Sequence, residues 1–597
     1  MQTKKISELD GHHFFNCFLT GAARIFDDQH YINKINVFPV ADADTGTNLA
    51  STLRSIVETT APGDHLKMVA LGIADAALAG ARGNSGIIFA QFLYGFSNEV
   101  ADKQKIDVYD FVLAAKKSVP YVYEAMANPV EGTMVSVIKE WADALFEIKE
   151  KYNSFYELLQ GSLKQAHKSL KETTKKMDKL ARARVVDAGA KGFVDFVEGM
   201  VDYLRTGRVP HAEKLKSTVI ETVHEHISHD EVTFRYCTEA LLQGENLNKE
   251  KLKAVLSGLG DSMVIAGSKS KLRIHVHTDT PWVLFEKIGD MGTILTQKVD
   301  DMVMQNTIAS QARFQTTIVT DSSADIPDEI MEKYQIQRIP LNIHFGETFY
   351  LDGITMKPEQ FYQMVERSPV YPTTSQPSFK EFYNKYNYLT THYKTVIGIN
   401  LSAKLSGTWQ NSVNAAGKVS DQTGTVIDIL DSKKVSCGLG LLVIRTAKAL
   451  ESGMSHEEMV ARFPMWALKT KQFAALRTLK YLVKSGRINA GKGLFGRLLG
   501  VKPMIEVDKN GWVVPYAKNF SQSGSRRRML NEIKKFMKGK RVWGYAITHA
   551  NNLESAKWLA GEMEKLTGKK PEFIGEATPV LGVHVGSGVF SLAVTLE

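Results

Sequence analysis

Cysteine is scarce in this sequence: Cys17, Cys237 and Cys437 are the only three in 597 residues, too few and too far apart for a disulfide framework. That scarcity fits a reducing compartment. Long apolar runs are missing too, so no stretch reads as a bilayer span, and the opening MQTKKISELDGHHFF lacks a signal-peptide core. The expected location is the cytoplasm. No G-x-x-x-x-G-K-[ST] loop occurs, which excludes P-loop nucleotide chemistry. The net charge of +9 raises nucleic acid as a partner, but the densest basic runs, 164–184 and 526–541, hold a single stacking residue between them, Phe536. Solvated helix faces account for both runs, and no nucleic-acid partner is expected.

What remains is an ordinary globular composition, 44% hydrophobic and 23% charged, in a chain too long for one core. The stretch that organises it is INVFPVADADTGTNLASTL, Ile35 to Leu53. Asp42 and Asp44 lie two residues apart with no basic residue between them, and Thr45, Gly46, Thr47 and Asn48 follow at the start of a helix-like run. Two carboxylates that close repel unless a cation sits between them, and Mg²⁺ suits oxygen donors while leaving positions for phosphate oxygens. The free N–H groups of the following helix favour an anion as well. Taken alone, the same residues also describe an acidic turn capping a surface helix, the commoner occurrence.

From Ile6 to about Thr206 apolar residues recur at helical spacing in Phe14–Ile25, Val69–Leu78, Ile87–Phe96, Tyr109–Ala115, Met134–Ile148, Phe155–Leu170 and Phe193–Leu204. Gly80, Gly83 and Gly86 precede one of these segments, where backbone must approach something closely: a phosphate, or a packed helix. Gly207 to Ala212 reads as a linker. Beyond it, Val232–Leu242 and Leu272–His277 have strand character around a helical Lys249–Leu256. His275 and His277 project from one face of their strand, and Cys237 lies in the other strand. The spacing fits a three-ligand Zn²⁺ set, and also two buried, hydrogen-bonded histidines, the commoner occurrence. After about residue 312, strand-like and helix-like pieces alternate: Thr317–Asp321, Ile339–Phe345, Thr395–Ile399, Val426–Leu430, Phe473–Leu476, Val542–Ile547 and Val580–Val585 are expected as strands. This is an α/β pattern, with ligands at strand C-termini. Hydroxyl-rich loops at Asp321-Ser322-Ser323, Pro372–Ser378 and Leu401–Thr408 can hold a carboxylate without a cation, or can simply cap helices.

Several of these stretches carry a family resemblance. Asn36-Val-Phe-Pro-Val-Ala-Asp42-Ala-Asp44-Thr-Gly-Thr-Asn48, Gly80-Ala-Arg82-Gly83-Asn84-Ser85-Gly86, Pro129-Val-Glu-Gly132-Thr133-Met134 and Val186-Asp187-Ala-Gly189 come in the order of the dihydroxyacetone kinase L-subunit family, in its fatty acid kinase branch. The resemblance implies an all-helical barrel over residues 1–208 that holds ATP through two Mg²⁺ ions. Asn36, Asp42 and Asp44 would be metal ligands, and Thr45, Thr47, Asn48, Asn84, Ser85, Gly132, Thr133 and Asp187 would line the nucleotide. The family reads P-D-G-D where this chain has Ala41-Asp-Ala43-Asp, and alanine bears on the turn because glycine serves where φ must be positive. The Y-C-T-E and H-x-H segments resemble the middle domain of fatty acid kinases. They imply an α+β domain over 209–312 with zinc at Cys237, His275 and His277, in a structural or interface role away from the kinase centre.

The C-terminal part resembles the DegV family of fatty-acid-binding proteins, through Thr320-Asp-Ser-Ser-Ala-Asp325, Thr374-Ser-Gln-Pro-Ser378, Leu405-Ser-Gly-Thr408, Leu479-Lys-Tyr-Leu-Val-Lys-Ser-Gly486-Arg487 and His584-Val-Gly586. It implies an α/β domain over 313–597 enclosing a fatty acid, its carboxylate contacted by Thr374, Ser375 and Ser406 beside Gly407 and His584. Arg487 and His584 would steady the transferred phosphate. The whole then resembles a fatty acid kinase with both halves fused, making acyl phosphate from ATP for phospholipid metabolism. A homodimer and peripheral contact with a membrane surface are also expected. A lipid carrier with a degenerate kinase domain and a dihydroxyacetone-type kinase are the alternatives.

Overall fold

In this computed structural model the described residues are 6–38, 43–100, 102–211, 215, 233–488 and 501–597. Ala41 and Asp42, and the start of the strand expected at Val232, lie outside them. The N-terminal helices are α1 (Gly11–Lys34), α2 (Thr45–Thr59), α3 (Leu66–Gly80), α4 (Gly83–Glu99), α5 (Val108–Ala125), α6 (Met134–Ile148), α7 (Phe155–Lys176), the short α8 (Asp178–Ala183) and α9 (Ala188–Thr206). Each apolar segment read from the sequence lies within one of them. Successive long helices pack side by side, and α9 returns against α7 and α1, so the ring closes. Closure demands a near backbone contact: a Cβ on Gly199 would stand 2.6 Å from the Cα of Gly21. The interior is aromatic, with Phe193 edge-on to both Phe92 and Trp141 and with Phe196 edge-on to Phe18 and Phe89. Burying each such side chain contributes about 1.5–3 kcal/mol. A two-stranded ribbon, β1 (Glu8–Asp10) with β2 (Lys105–Asp107), accompanies the helices.

After the Gly207 turn comes an antiparallel sheet of β3 (Tyr236–Gln243), β4 (Gly260–Gly267), β5 (Lys271–Thr278) and β6 (Thr293–Asp301), in the order β4-β5-β3-β6. Helices Lys249–Leu256 and Pro281–Gly289 connect the strands. The sheet docks on the helical bundle: Val264 and Ala266 of β4 belong to the same buried cluster as the bundle interior, and Gly267 N donates to Gln91 Oε1 at 2.8 Å. Bundle and sheet fall in one compact unit, Met1–Gln305.

Among the described residues of the second unit, Asn306–Glu597, there are three sheets. One is parallel, in the order β13-β12-β7-β8, from β7 (Thr316–Asp321), β8 (Gln337–Ile339), β12 (Thr395–Asn400) and β13 (Val426–Asp431). A small antiparallel one joins β9 (Asn342–Phe345), β10 (Thr348–Leu351) and β11 (Thr373–Ser375). The third, mixed, has the order β16-β15-β14-β19-β17-β18, from β14 (Thr470–Ala475), β15 (Lys502–Val507), β16 (Val513–Asn519), β17 (Val542–Ala550), β18 (Phe573–Glu576) and β19 (Val589–Leu596). The helix Cys437–Glu451 packs on strands of both larger sheets and is buried on nearly every side, as its almost uninterrupted CGLGLLVIRTA run requires.

One strand expectation is overturned. Val580–Val585 lies in a helix, Pro579–Val585. A short apolar run has no period that separates strand from helix, and here the ends decide: Pro579 fits the first turn of a helix, and Gly586 ends it at φ +71°. The expected strand Ile339–Phe345 is broken at Pro340 into β8 and β9, which join different sheets.

Candidate functional site

In the first unit four helix N-termini meet. A Cβ on Gly83, the first residue of α4, would stand 2.3 Å from Asn48 Nδ2 in the first turn of α2. One on Gly189 at the start of α9 would stand 2.7 Å from Ser85 Oγ of α4 and 3.4 Å from the Cβ of Met134, which opens α6. Asp187 ties the last two together, its Oδ1 accepting from Ala190 N at 2.8 Å and Met134 N at 3.0 Å. Burial pushes this carboxyl up to about 6 against those amide donors. Asp187 already takes up the first-turn amides of α6 and α9, and the four converging N-termini add partial positive charge of the kind that favours an anion.

The expected residues take distinct places around it. Asp44 stands at the N-cap of α2 with no side-chain bond to that helix, and Asn36 and Thr45 are buried nearby in the chain. Ala43 holds φ at +52°, so the turn keeps the left-handed conformation with an alanine in it. Asn84 Oδ1 is buried with no hydrogen-bond partner among the described residues, as a side chain awaiting a ligand would be. Thr47 turns toward α1 instead, where its hydroxyl accepts from Gln29 Nε2 at 3.1 Å and Asn33 Nδ2 at 3.0 Å. Thr133 donates to Val130 O at 2.8 Å, and Gly132 N donates to Ser136 Oγ at 2.8 Å, so both shape the loop before α6.

Cys237, His275 and His277 do come together, their ligand atoms all within 4.8 Å of one another. Cys237 Sγ lies 3.9 Å from His275 Nδ1, near the roughly 3.6 Å that separates sulfur from nitrogen around a tetrahedral zinc. Burial, with His275 beside it, pushes His277 down to about 3, so its ring is neutral. His275 Nε2 is buried with no hydrogen-bond partner among the described residues. The donor set fits zinc. Its position was not legible from spacing: Glu239, two residues along β3 from Cys237, accepts from Gly83 N at 2.6 Å and from Arg273 Nη2 at 2.7 Å. The cluster therefore abuts the glycine loop of the helical bundle. Burial opposes ionisation of Glu239, but Arg273, His275 and Lys298 outweigh it and hold the carboxyl well below its ordinary range.

In the second unit the structure brings Thr374, Ser375, Ser406, Gly407, Arg487 and His584 to one cavity of about 310 Å³. Thr374 and Ser375 come from β11, Ser406 and Gly407 from the loop that follows β12, and His584 from the helix Pro579–Val585. Thr374 Oγ1 and His584 Nε2 are hydrogen-bonded at 2.9 Å, and Ser375 Oγ is bonded to His344 Nε2 at 2.8 Å. Burial, with Arg487 nearby, pushes His584 down to about 4, leaving a neutral ring whose Nδ1 has no hydrogen-bond partner among the described residues. The rest of the lining is largely apolar, including Leu405, Leu482, Ile505, Val507 and Val513. Hydroxyls and a guanidinium on an otherwise greasy cavity suit an amphipathic anion.

Three family models match the chain: residues 39–202 match the DAK2 domain, 233–308 the middle domain of FakA-like fatty acid kinase proteins, and 315–597 the DegV family. The three matched regions follow one another along the chain without overlap. An uncharacterized protein of Staphylococcus haemolyticus is 30% identical over 313 residues, 50% of this chain and 56% of that one. Protein YloV of Bacillus subtilis is 29% identical over 317 residues, 51% of this chain and 57% of that one. The chain thus spans little more than half the length of these curated relatives. Among solved structures, DegV of Bacillus subtilis, a fatty acid binding protein, is 28% identical over 48% of this chain and 100% of its own, with a TM-score of 0.43. A DegV family protein of Thermus thermophilus is 26% identical over 47% and 99%, with a TM-score of 0.44.

The DAK2 and middle domains are where sequence reasoning missed most. Arg273 carried a usable signal, since it lies between Leu272 and Ile274 in step with the two histidines, whereas Glu239 follows Thr238 and Lys298 follows Gln297, where no clean alternation marks them. Among the described residues no helix is long and apolar enough to cross a membrane.

Proposed function

We propose that the chain is an ATP-dependent fatty acid kinase. The observation that carries the proposal is the second-unit cavity, whose lining gathers Thr374, Ser375, Ser406, Arg487 and His584 from four separate parts of the chain. A carboxylate lodged there would accept hydrogen bonds from the hydroxyls while its hydrocarbon tail fills the apolar remainder. The match of the middle domain to FakA-like fatty acid kinase proteins supports the same substrate. ATP would lie on the N-termini of α2, α4, α6 and α9, with Mg²⁺ held by Asn36, Asp42 and Asp44. Bound Mg²⁺ would neutralise charge on the phosphates, and zinc at Cys237, His275 and His277 would fix the middle-domain sheet.

The reaction needs no general base. A carboxylate oxygen forms a bond to the γ-phosphorus while the bond from that phosphorus to the bridging oxygen breaks; the electron pair leaves on ADP, and the products are acyl phosphate and ADP. Protein residues orient the two anions and offset their repulsion. Neutral His584 serves as a hydrogen-bonding group at the carboxylate end, and Arg487 supplies the positive charge there. The test is transfer from radiolabelled ATP to oleate. Mg²⁺-dependent acyl phosphate, lost in Asp42→Ala and in Thr374→Val, is expected. Bound lipid with no ATP turnover would establish a carrier instead, and a product formed from dihydroxyacetone but not from oleate would replace the substrate.

A further inference from the structure

One face of the middle-domain sheet is built from ionisable side chains. Alternation along β3 puts Cys237 and Glu239 on it, and the cross-strand register sets His277 and His275 of β5, and Asp300 and Lys298 of β6, directly beside them. A sheet face that packs on a neighbouring layer is ordinarily apolar. This one touches the helical bundle through Glu239 on Gly83 N. Lys298 is the cross-strand partner of Glu239, so it emerges at the same level over the start of α4. It stands within electrostatic range of Arg82, which precedes α4, and Cys237 stands within range of Asp44. Lys298 pairs with Asp300 on its own strand, and 33% of its side chain is exposed.

We propose that Lys298, on the middle-domain sheet, is the nucleotide-phosphate cation of the kinase site. This deepens the ATP reading above and rests on it. The helix N-termini offer partial charges, whereas the transferring phosphoryl group carries full charge on its equatorial oxygens, and a positioned ammonium offsets it. On binding, the phosphate replaces Asp300 as the partner of Lys298. Glu239 acts through Gly83 and is a positioning residue: it holds the sheet face and the glycine loop in register. Lys298 transfers no proton; it lowers the barrier by charge alone while the γ-phosphorus changes partners.

The test uses the full chain with Mg·ATP and Mg·ADP in calorimetry and with ATP and oleate in turnover. Lys298→Met is expected to lower kcat by about 100-fold or more and to weaken ATP more than ADP, a selective loss that the modest fall in Tm from removing a partner of Asp300 and Glu239 does not produce. Lys298→Arg should recover part of kcat, and Lys269→Met, at an exposed turn of the same sheet, should behave as wild type. Lys298→Met with wild-type kcat and wild-type ATP-to-ADP preference overturns the assignment while leaving the kinase reading intact. A lowered Tm with equal loss for both nucleotides and no recovery in Lys298→Arg assigns the residue a structural role and also overturns it. Wild type that neither binds Mg·ATP nor turns it over removes the kinase reading itself.

Discussion

Glu239 offers the sharpest quantitative test of how the middle domain is held to the helical bundle. It is 1% exposed and satisfies two donors from different domains, Gly83 N at 2.6 Å and Arg273 Nη2 at 2.7 Å. Glu239→Ala strands the Arg273 guanidinium, itself 5% exposed and left with Thr296 Oγ1 as a neutral partner. Breaking one side of a buried ion pair costs about 3–5 kcal/mol. Gly83 N loses its acceptor as well, which places the expected cost toward the top of that range. With a urea dependence of about 2 kcal/mol per M, the midpoint should fall by about 2 M. Tryptophan fluorescence reads both domains, through Trp141 in α6 and Trp282 in the helix Pro281–Gly289. Glu239→Gln keeps the shape and one acceptor, so it should lie between Ala and wild type at neutral pH. Because the folded carboxyl is held well below the unfolded value of 4.5, its stabilisation is complete above that value and is lost as pH falls through the depressed one. The gap between Gln and wild type should therefore stay constant from pH 8 to pH 5 and close in acid. An unchanged urea midpoint for Glu239→Ala would refute the argument that this contact joins the domains.

Three further outcomes follow from particular residues. Ala43→Gly relieves a left-handed alanine at φ +52° and should raise stability by about 1 kcal/mol in thermal unfolding; a lowered Tm would show that the turn does not need that conformation. Asp325 is pushed up to about 8 by burial, with Asp352 nearby, and accepts from Ser436 Oγ at 2.5 Å and Thr578 N at 2.9 Å. Its folded value lies above the unfolded one, so the stability it contributes is complete below about pH 4 and declines as pH rises toward 8. Asp325→Asn should remove that slope from a Tm-against-pH series, and an identical slope in the variant would assign it to another group. Ala474→Phe fills the second-unit cavity and should weaken binding of a fluorescent fatty acid at least tenfold, whereas wild-type affinity would place the ligand elsewhere.

Much of the secondary structure was written locally. Apolar spacing marked the helices of the first unit because each buries one stripe against its neighbours, and the run Met134–Ile148 coincides with α6. Period-two alternation put His275 and His277 on one face of β5 before anything was known of what that face meets. The α/β character of the second half followed from strand-like and helix-like pieces taking turns, while Val580–Val585 was misread because so short a run, four apolar residues with Gly582 and His584 among them, fits either element. Tertiary structure alone decided which residues share a site. Gly83, Glu239, Arg273 and Lys298 are scattered over more than two hundred positions, as are Thr374 and His584, and a local pattern reports only which side of an element is buried. What lies against that side is set by ring closure, strand order and register, which depend on every element at once.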